Sequence, residues 1–234
     1  MKVCWISGGV SSVVAGLLSE GVDKFIYIHI ENQHPDTLRF VKDCEKLLGK
    51  EIEILEPEHN NIHDVIKKYR FINSRYGARC TLELKKKVRQ RWEREHADCN
   101  ITYVWGYDVN EEHRANQLRS TYPEFNHEFP LIDHKITKSQ AHGILKYKGV
   151  NRPVMYNMGY HNNNCVGCVK GGMGYWNKIR VDFPDVFNKM AQLEREVGHS
   201  CIKGVFLDEL EPTRGRHEKP IIPECGGFCE VDTI

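Results

Sequence analysis

The sequence predicts an α/β protein built on an open parallel sheet with helices on both faces. Two observations carry that reading. Short apolar runs alternate with amphipathic segments through the first half of the chain, and the composition is that of a protein able to bury a large core. Of 234 residues, 40% are hydrophobic and 28% charged, and the formal net charge is +1.

Residues 2–6, KVCWI, read as a short buried strand, and residues 11–21 carry helical apolar spacing that stops at Gly21. Residues 24–30 form a second strand. Residues 34–49 follow as a helix, with Pro35 near its start and Leu38, Val41, Leu47 and Leu48 on one face. Residues 50–57 are a third strand, 61–72 a helix, and 82–96 another helix with Lys85, Lys86, Lys87, Arg89, Arg91 and Arg94 on it. Such a basic run reads first as a solvated helix face, and second as an attractor of phosphates. A fourth strand at 101–107 precedes a helix at 111–122. Right-handed crossovers are expected between these strands.

After Pro130 the pattern changes. Residues 131–149 read as one helix behind a polar turn, 157–174 are rich in glycine and asparagine, and 183–198 form a helix. The expected layout is an α/β nucleotide-binding domain over residues 1–150 and a Cys-rich C-terminal extension over 151–234 packed on it. No apolar stretch approaches the ~20 residues of a membrane span, and the start lacks a secretory pattern. A cytoplasmic protein without membrane contact is expected, and the near-neutral charge gives no bulk bias toward nucleic acid.

The chemistry concentrates in a few loops. Ser7, Gly8 and Gly9 end the first strand, and Ser11 and Ser12 open the first helix. Glycines let the backbone approach a ligand, and successive N–H groups at a helix start face an anion. The loop is neither G-x-G-x-x-G nor a Walker sequence, which argues against dinucleotide and kinase-type readings. A plain turn capped by serines has the same residues. At the end of the fourth strand, Asp108, Glu111 and Glu112 could hold Mg²⁺ and Arg114 could meet a phosphate, or the acids could simply face a helix dipole. Among twelve histidines without metal spacing, His29, His34 and His113 are candidate neighbours of a nucleotide.

Nine cysteines in a cytosolic chain point to ligands or reactive thiols rather than disulfides. Cys4, Cys44, Cys99 and Cys201 stand alone and read as buried small hydrophobes. Cys165 and Cys168 form a C-x-x-C, Cys225 and Cys229 a C-x₃-C, and Cys80 precedes the lysine-rich helix. These spacings suit Zn²⁺ or an iron–sulfur cluster.

The ordered set SGGVSS, HPDTLRF, RCTLELKKK, GYDVNEEHRANQL and PLIDHKITKSQAHGIL resembles the phosphoadenosine phosphosulfate (PAPS) reductase family, within the PP-loop ATP pyrophosphatases. The matches run over about residues 3–230. The resemblance implies a Rossmann-like open parallel sheet of five strands, with adenosine across the ends of strands one and two. It also implies a [4Fe–4S] cluster rather than zinc, with Cys80, Cys165 and Cys168 at ligand positions. Cys80-Thr81 replaces the family's double cysteine, so a fourth ligand must come from elsewhere. Cys225 matches the family's C-terminal nucleophile, although Phe228-Cys229 replaces its His pattern. Ser11 stands where PP-loops usually carry aspartate, which puts one Mg²⁺ or phosphate contact in question.

Two assignments of the thiols remain open. Cys225 and Cys229 either complete a metal site with Cys165 and Cys168, leaving Cys80 as an extra ligand or reactive thiol, or form a separate nucleophile or redox pair. The compactness of two short loops favours the first. The leading functional expectation is an enzyme that binds ATP with Mg²⁺ and cleaves it to AMP and pyrophosphate, activating a nucleic-acid or small-molecule acceptor for sulfur transfer. The alternative is a reductase of adenylyl sulfate or PAPS, with Cys80 or Cys225 in the chemistry and a thiol reductant such as thioredoxin. A third reading is a nucleotide- or metal-sensing module without turnover.

Overall fold

The computed structural model describes residues 1–224. Its main sheet contains β1 (Lys2–Ile6), β2 (Lys24–Ile28), β3 (Ile52–Leu55), β6 (Thr102–Val104) and β7 (Asn126–Glu128). The spatial order is β3-β2-β1-β6-β7, and every pairing is parallel. The expected five-stranded parallel α/β sheet is therefore present. The chain winds outward from β1 through β2 to β3, then crosses back to place β6 on the other side of β1. That reversal leaves a crevice between the carboxyl ends of β1 and β6, where open α/β sheets bind ligands.

The strands are apolar because both faces are covered. On one face Cys4, Ile6, Phe25 and Tyr27 pack against α1 (Val10–Leu18), α2 (Asp36–Leu48), α7 (Pro130–Asp133) and α8 (Lys138–Tyr147) through Val13, Val14, Phe40, Leu131 and Leu145. On the other, Val3, Ile26 and Tyr103 meet Trp92 of α5 (Lys87–Glu95). A further cluster joins α3 (Ile62–Tyr69), α10 (Met173–Asp182) and α11 (Pro184–Val197) through Val65, Ile66, Trp176, Ile179, Phe187 and Met190. This cluster draws on residues from both sides of position 150.

Local chemistry explains most boundaries. Asn61 caps α3 by accepting the Asp64 N–H at 2.9 Å, and Gly49 closes α2 in the left-handed conformation. The expected single helix over 131–149 is instead two. Lys135 adopts φ +55° between them, and Thr137 and Gln140 form a capping box that restarts the chain as α8.

Three features departed from the sequence pattern. The fifth strand is the short polar Asn126–Glu128, which lacks any apolar run because it lies at the sheet edge. A small hairpin, β4 (Asn73–Ser74) with β5 (Gly77–Ala78), stands before α4 (Arg79–Thr81). From α4 the chain passes through a π-helical turn, Leu82–Lys86, into α5. Cys99 is a correction: it is exposed beyond the end of α5, whereas Cys4 and Cys44 are buried as expected.

One position sets the geometry of the crevice. Gly106 follows β6, and a Cβ there would lie 2.5 Å from both N and Cα of Ser12. Only glycine lets β6 approach α1 so closely. Gly106→Ala is expected to destabilise the fold by about 1–3 kcal/mol, measured by urea unfolding, since a backbone must move to admit the methyl group.

His142 on α8 is buried edge-on against Tyr156, with ring centroids 4.5 Å apart, and its Nδ1 accepts from Arg152 at 3.3 Å. Burial, and then the neighbouring Arg152 charge, push its pKa down to about 3. The folded protein thus binds fewer protons than the unfolded chain between roughly pH 6.5 and 3, so stability falls as pH drops through that window. The expected contribution is about 1.4 kcal/mol per pH unit. A His142→Gln variant should show a correspondingly shallower decline in denaturant titrations from pH 7 to pH 4.

Candidate functional site

The loop after β1 is held by its own serines. The Ser12 hydroxyl accepts the Ser7 N–H at 3.0 Å, lies 3.1 Å from the Ser7 hydroxyl, and donates to the Gly9 carbonyl at 2.9 Å. Gly8 adopts φ +80°, and a Cβ there would meet Thr37 Cγ2 at 2.8 Å. Ser11 occupies the first turn of α1 and is half-buried. The helix start has no side-chain cap at Gly9, though the Tyr156 hydroxyl accepts the Val10 N–H. Burial pushes the Tyr156 phenol up to about 12, so it stays protonated there.

This loop forms one wall of a crevice of about 260 Å³. Ser7, Ser12 and Gly106 lie at one side, Trp5, Trp105 and Tyr107 supply aromatic surface, and Lys85, Lys86 and Arg89 bring positive charge. The arrangement combines a glycine-rich turn, stacking surfaces and cations, the requirements of a nucleotide with its phosphates. The basic run is thereby divided. Lys87 instead binds Glu83 at 2.7 Å, Arg91 donates to the Glu56 carbonyl at 2.9 Å, and Arg94 is exposed.

The other sequence-predicted contacts fall beside the crevice. The Asp108 carboxylate accepts the Asn110 N–H at 2.8 Å and forms a capping box with Glu111. Arg114 pairs with Glu111 and lies over the Tyr107 ring at 4.6 Å. These three residues are engaged in starting α6 (Glu112–Thr121), yet Arg114 reaches the crevice indirectly through Tyr107. His29 is half-buried next to Tyr27, outside the crevice lining, and its Nδ1 has no partner. The HPDTLRF stretch acts as a clamp. Asp36 takes Arg39 in a two-point ion pair and accepts the Val154 N–H at 2.8 Å, while Arg39 donates to the Asn151 carbonyl at 2.8 Å.

The C-x-x-C segment docks on the same sheet edge. Cys165 forms an antiparallel bridge with Gln33, the Val166 N–H donates to the Asn32 carbonyl at 2.7 Å, and the Asn163 amide donates to the Gly8 carbonyl at 2.7 Å. Tyr175 stiffens the turn, accepting the Cys168 N–H at 2.9 Å and donating to the Cys165 carbonyl at 3.1 Å. Cys80 sits in α4 and packs against the same buried cluster that contains Cys165. Burial, then the Cys168 thiol, raise the Cys80 pKa, while Lys170 and Lys85 oppose the rise. Burial pushes Cys165 up to about 11, again against Lys85. Lys85 therefore faces both the crevice and the thiols.

Cys201, read from sequence as an isolated apolar residue, belongs to this neighbourhood too. It is buried in the same cluster, and Cys168 and Cys80 both contribute to raising its pKa after burial and Glu194. Its position shows in the fold because no short spacing links it to another cysteine. Among the described residues, no three Cys, His, Asp or Glu side chains converge closely enough to hold a single metal ion. Cys225 and Cys229 lie outside the described residues. On the far side of Cys168 is an open basin of about 770 Å³, whose walls include Lys170, Lys178, Arg216, His217 and Tyr175.

No protein-family model and no curated protein matches the chain. Among solved structures, it is similar to that of phosphoadenylyl-sulfate (PAPS) reductase from Candida auris in a phosphate complex. The likeness covers 68% of this chain and 78% of that one, with 13% identity and a TM-score of 0.47.

Proposed function

We propose that the chain is a PAPS-reductase-like enzyme that binds ATP in the β1/β6 crevice and couples its cleavage to sulfur transfer. The observation that carries this reading is the sharing of one helical segment by the two halves of the site. Cys80 stands at its start, and Lys85 and Lys86 line the crevice one π-helical turn later.

The chain's residues supply binding and electrostatics. Ser7, Ser12 and the start of α1 receive the phosphates, Lys85, Lys86 and Arg89 neutralise them, and the aromatic residues flank the base. A substrate oxygen attacks the α-phosphorus, the bond to the bridging oxygen of the β-phosphate breaks, and pyrophosphate leaves. Preorganised N–H groups and cations stabilise the charge that gathers on that leaving group. A sulfur nucleophile then displaces AMP from the activated carbon. Asp108 and Glu111 would be the acids to hold Mg²⁺, which supplies charge neutralisation to the phosphates when bound.

The donor set near Cys165 is chemically suited to a metal centre of soft ligands, since its thiols are free of disulfides, with Cys165 in a buried cluster, Cys80 packed against it and Cys168 half-buried beside it. Cys80, Cys165 and Cys168 would hold an iron–sulfur cluster, which supplies redox or sulfur-handling chemistry when bound. The cationic basin beside Cys168 suits an anionic acceptor, such as a nucleic acid.

Turnover of labelled ATP to AMP and pyrophosphate in the presence of acceptor is the expected result. Lys85→Ala/Lys86→Ala should weaken ATP binding tenfold or more in calorimetry, about 1.4 kcal/mol or greater. Unchanged affinity in that variant would remove the crevice from the reading. Release of sulfite from adenylyl sulfate, without ATP cleavage, would replace sulfur transfer with reduction.

A further inference from the structure

We propose that Cys201 is the fourth thiol ligand of the metal centre, completing Cys80, Cys165 and Cys168 around an iron–sulfur cluster. The inference rests on the reading of those thiols as a metal centre and assigns the ligand that their spacing leaves open.

The geometry begins with Asn73. Its side-chain amide donates to the carbonyl of Val169 at 2.5 Å and to the carbonyl of Cys201 itself at 3.1 Å. Val169 directly follows Cys168. Asn73 also lies opposite Ala78 in the β4–β5 hairpin, two residues before Cys80. One half-buried amide thus ties together the three chain segments that carry Cys80, Cys168 and Cys201. The loop bearing Cys201 is fixed a second time from α11. Glu194 is fully buried, and its carboxylate accepts the N–H of Cys201 at 2.5 Å and that of Leu207 at 2.6 Å. An exposed loop position would need neither restraint.

The chemistry of the neighbourhood agrees. Cys165 and Cys201 are buried in one apolar cluster, with Cys80 packed against it. Cys80 and Cys168 are each within electrostatic range of Cys201. Deprotonating thiols in such an apolar setting is costly, and a metal that binds the thiolates offsets that cost. Lys85 and Lys170 stand by to offset residual negative charge. A single zinc needs its sulfurs within about 4 Å of one another, given Zn–S bonds of about 2.3 Å. A cluster with its own bridging sulfides spreads four cysteine ligands over separate irons, so its sulfurs need not meet at one ion. Among the described residues the other thiols are excluded by place: Cys4 and Cys44 lie in the opposite core, and Cys99 is exposed beyond the end of α5.

The test uses the full-length chain, reconstituted anaerobically with ferrous iron and sulfide, with iron and acid-labile sulfide counted and the reduced protein examined by electron paramagnetic resonance. The wild type and Cys225→Ala/Cys229→Ala are expected to hold about four irons per chain with the same spectrum, as a four-thiol cluster requires. Cys201→Ser is expected to lose at least one iron or to change the spectrum, while its far-ultraviolet circular dichroism stays that of the folded wild type. A full, spectrally unchanged cluster in Cys201→Ser overturns the assignment of Cys201 and leaves the thiol-centre reading intact. Loss of iron in Cys225→Ala/Cys229→Ala overturns it as well, and decides the matter even where Cys201→Ser fails to fold. A wild type that takes up no iron and sulfide overturns the thiol-centre reading itself.

Discussion

The docking of residues 163–166 across the end of β2 is the constraint on which the rest of the site depends. Asn163 joins the Gly8 carbonyl and the Thr37 hydroxyl, at 2.7 and 3.1 Å, and Cys165 pairs with Gln33 two residues later. Gln33 is itself pinned, its carbonyl oxygen accepting from the Tyr27 hydroxyl at 2.6 Å and the Ile30 N–H at 3.0 Å. These groups are buried, so an unmade bond would cost about 1–3 kcal/mol in desolvation alone. The glycine-rich loop therefore cannot shift without disturbing the segment that presents the thiols. The β1/β6 crevice and the cysteine-bearing segment become parts of one structure.

The second tie is electrostatic and runs through the π-helical turn. Glu83 is buried at its centre, held by Arg79 at 2.9 Å and Lys87 at 2.7 Å. Burial alone would favour the neutral acid, but Lys87 and Arg79 hold the carboxyl below its usual range. Losing one of these cations would leave a buried charge partly unpaired, a change that is costly in general. A widened turn of this kind resets the helical phase, and such turns recur at functional sites. Here it allows Cys80 to meet the apolar cluster while Lys85, Lys86 and Arg89 meet the crevice.

Much of this was legible in the sequence because buried strands and amphipathic helices leave periodic signals. KVCWI and KFIYIHI announced β1 and β2, and the Ser-Gly-Gly after the first announced a loop that needs close backbone approach. The fifth strand left no such signal: Asn126–Glu128 is an edge of three polar residues that gains its order from pairing with β6. Asp108, Glu111 and Arg114 were legible as a cluster but not in their contacts, since a capping box and an acid pair use the same residues in the same order. The basic run could not be divided from sequence either. Lys85 and Lys87 differ by two positions, yet one faces the crevice and the other a buried carboxylate. Cys201 carried least signal of all. Nothing local marks it, because what brings it to the other thiols is Asn73, well over a hundred residues earlier.

Lys85 shows why the two halves of the site matter to each other. The buried thiols raise one another's affinity for protons, and Lys85 is among the charges that work against this at Cys80 and Cys165. A phosphate chain in the crevice draws on that same charge. With a chain carrying a net +1, the field around the thiols is set by a few local lysines rather than by the protein as a whole. An anion held in the crevice would lessen what Lys85 does at Cys80 and Cys165. One lysine, five residues after Cys80 on a common helical segment, thus sets the same charge beside the crevice and beside the thiols.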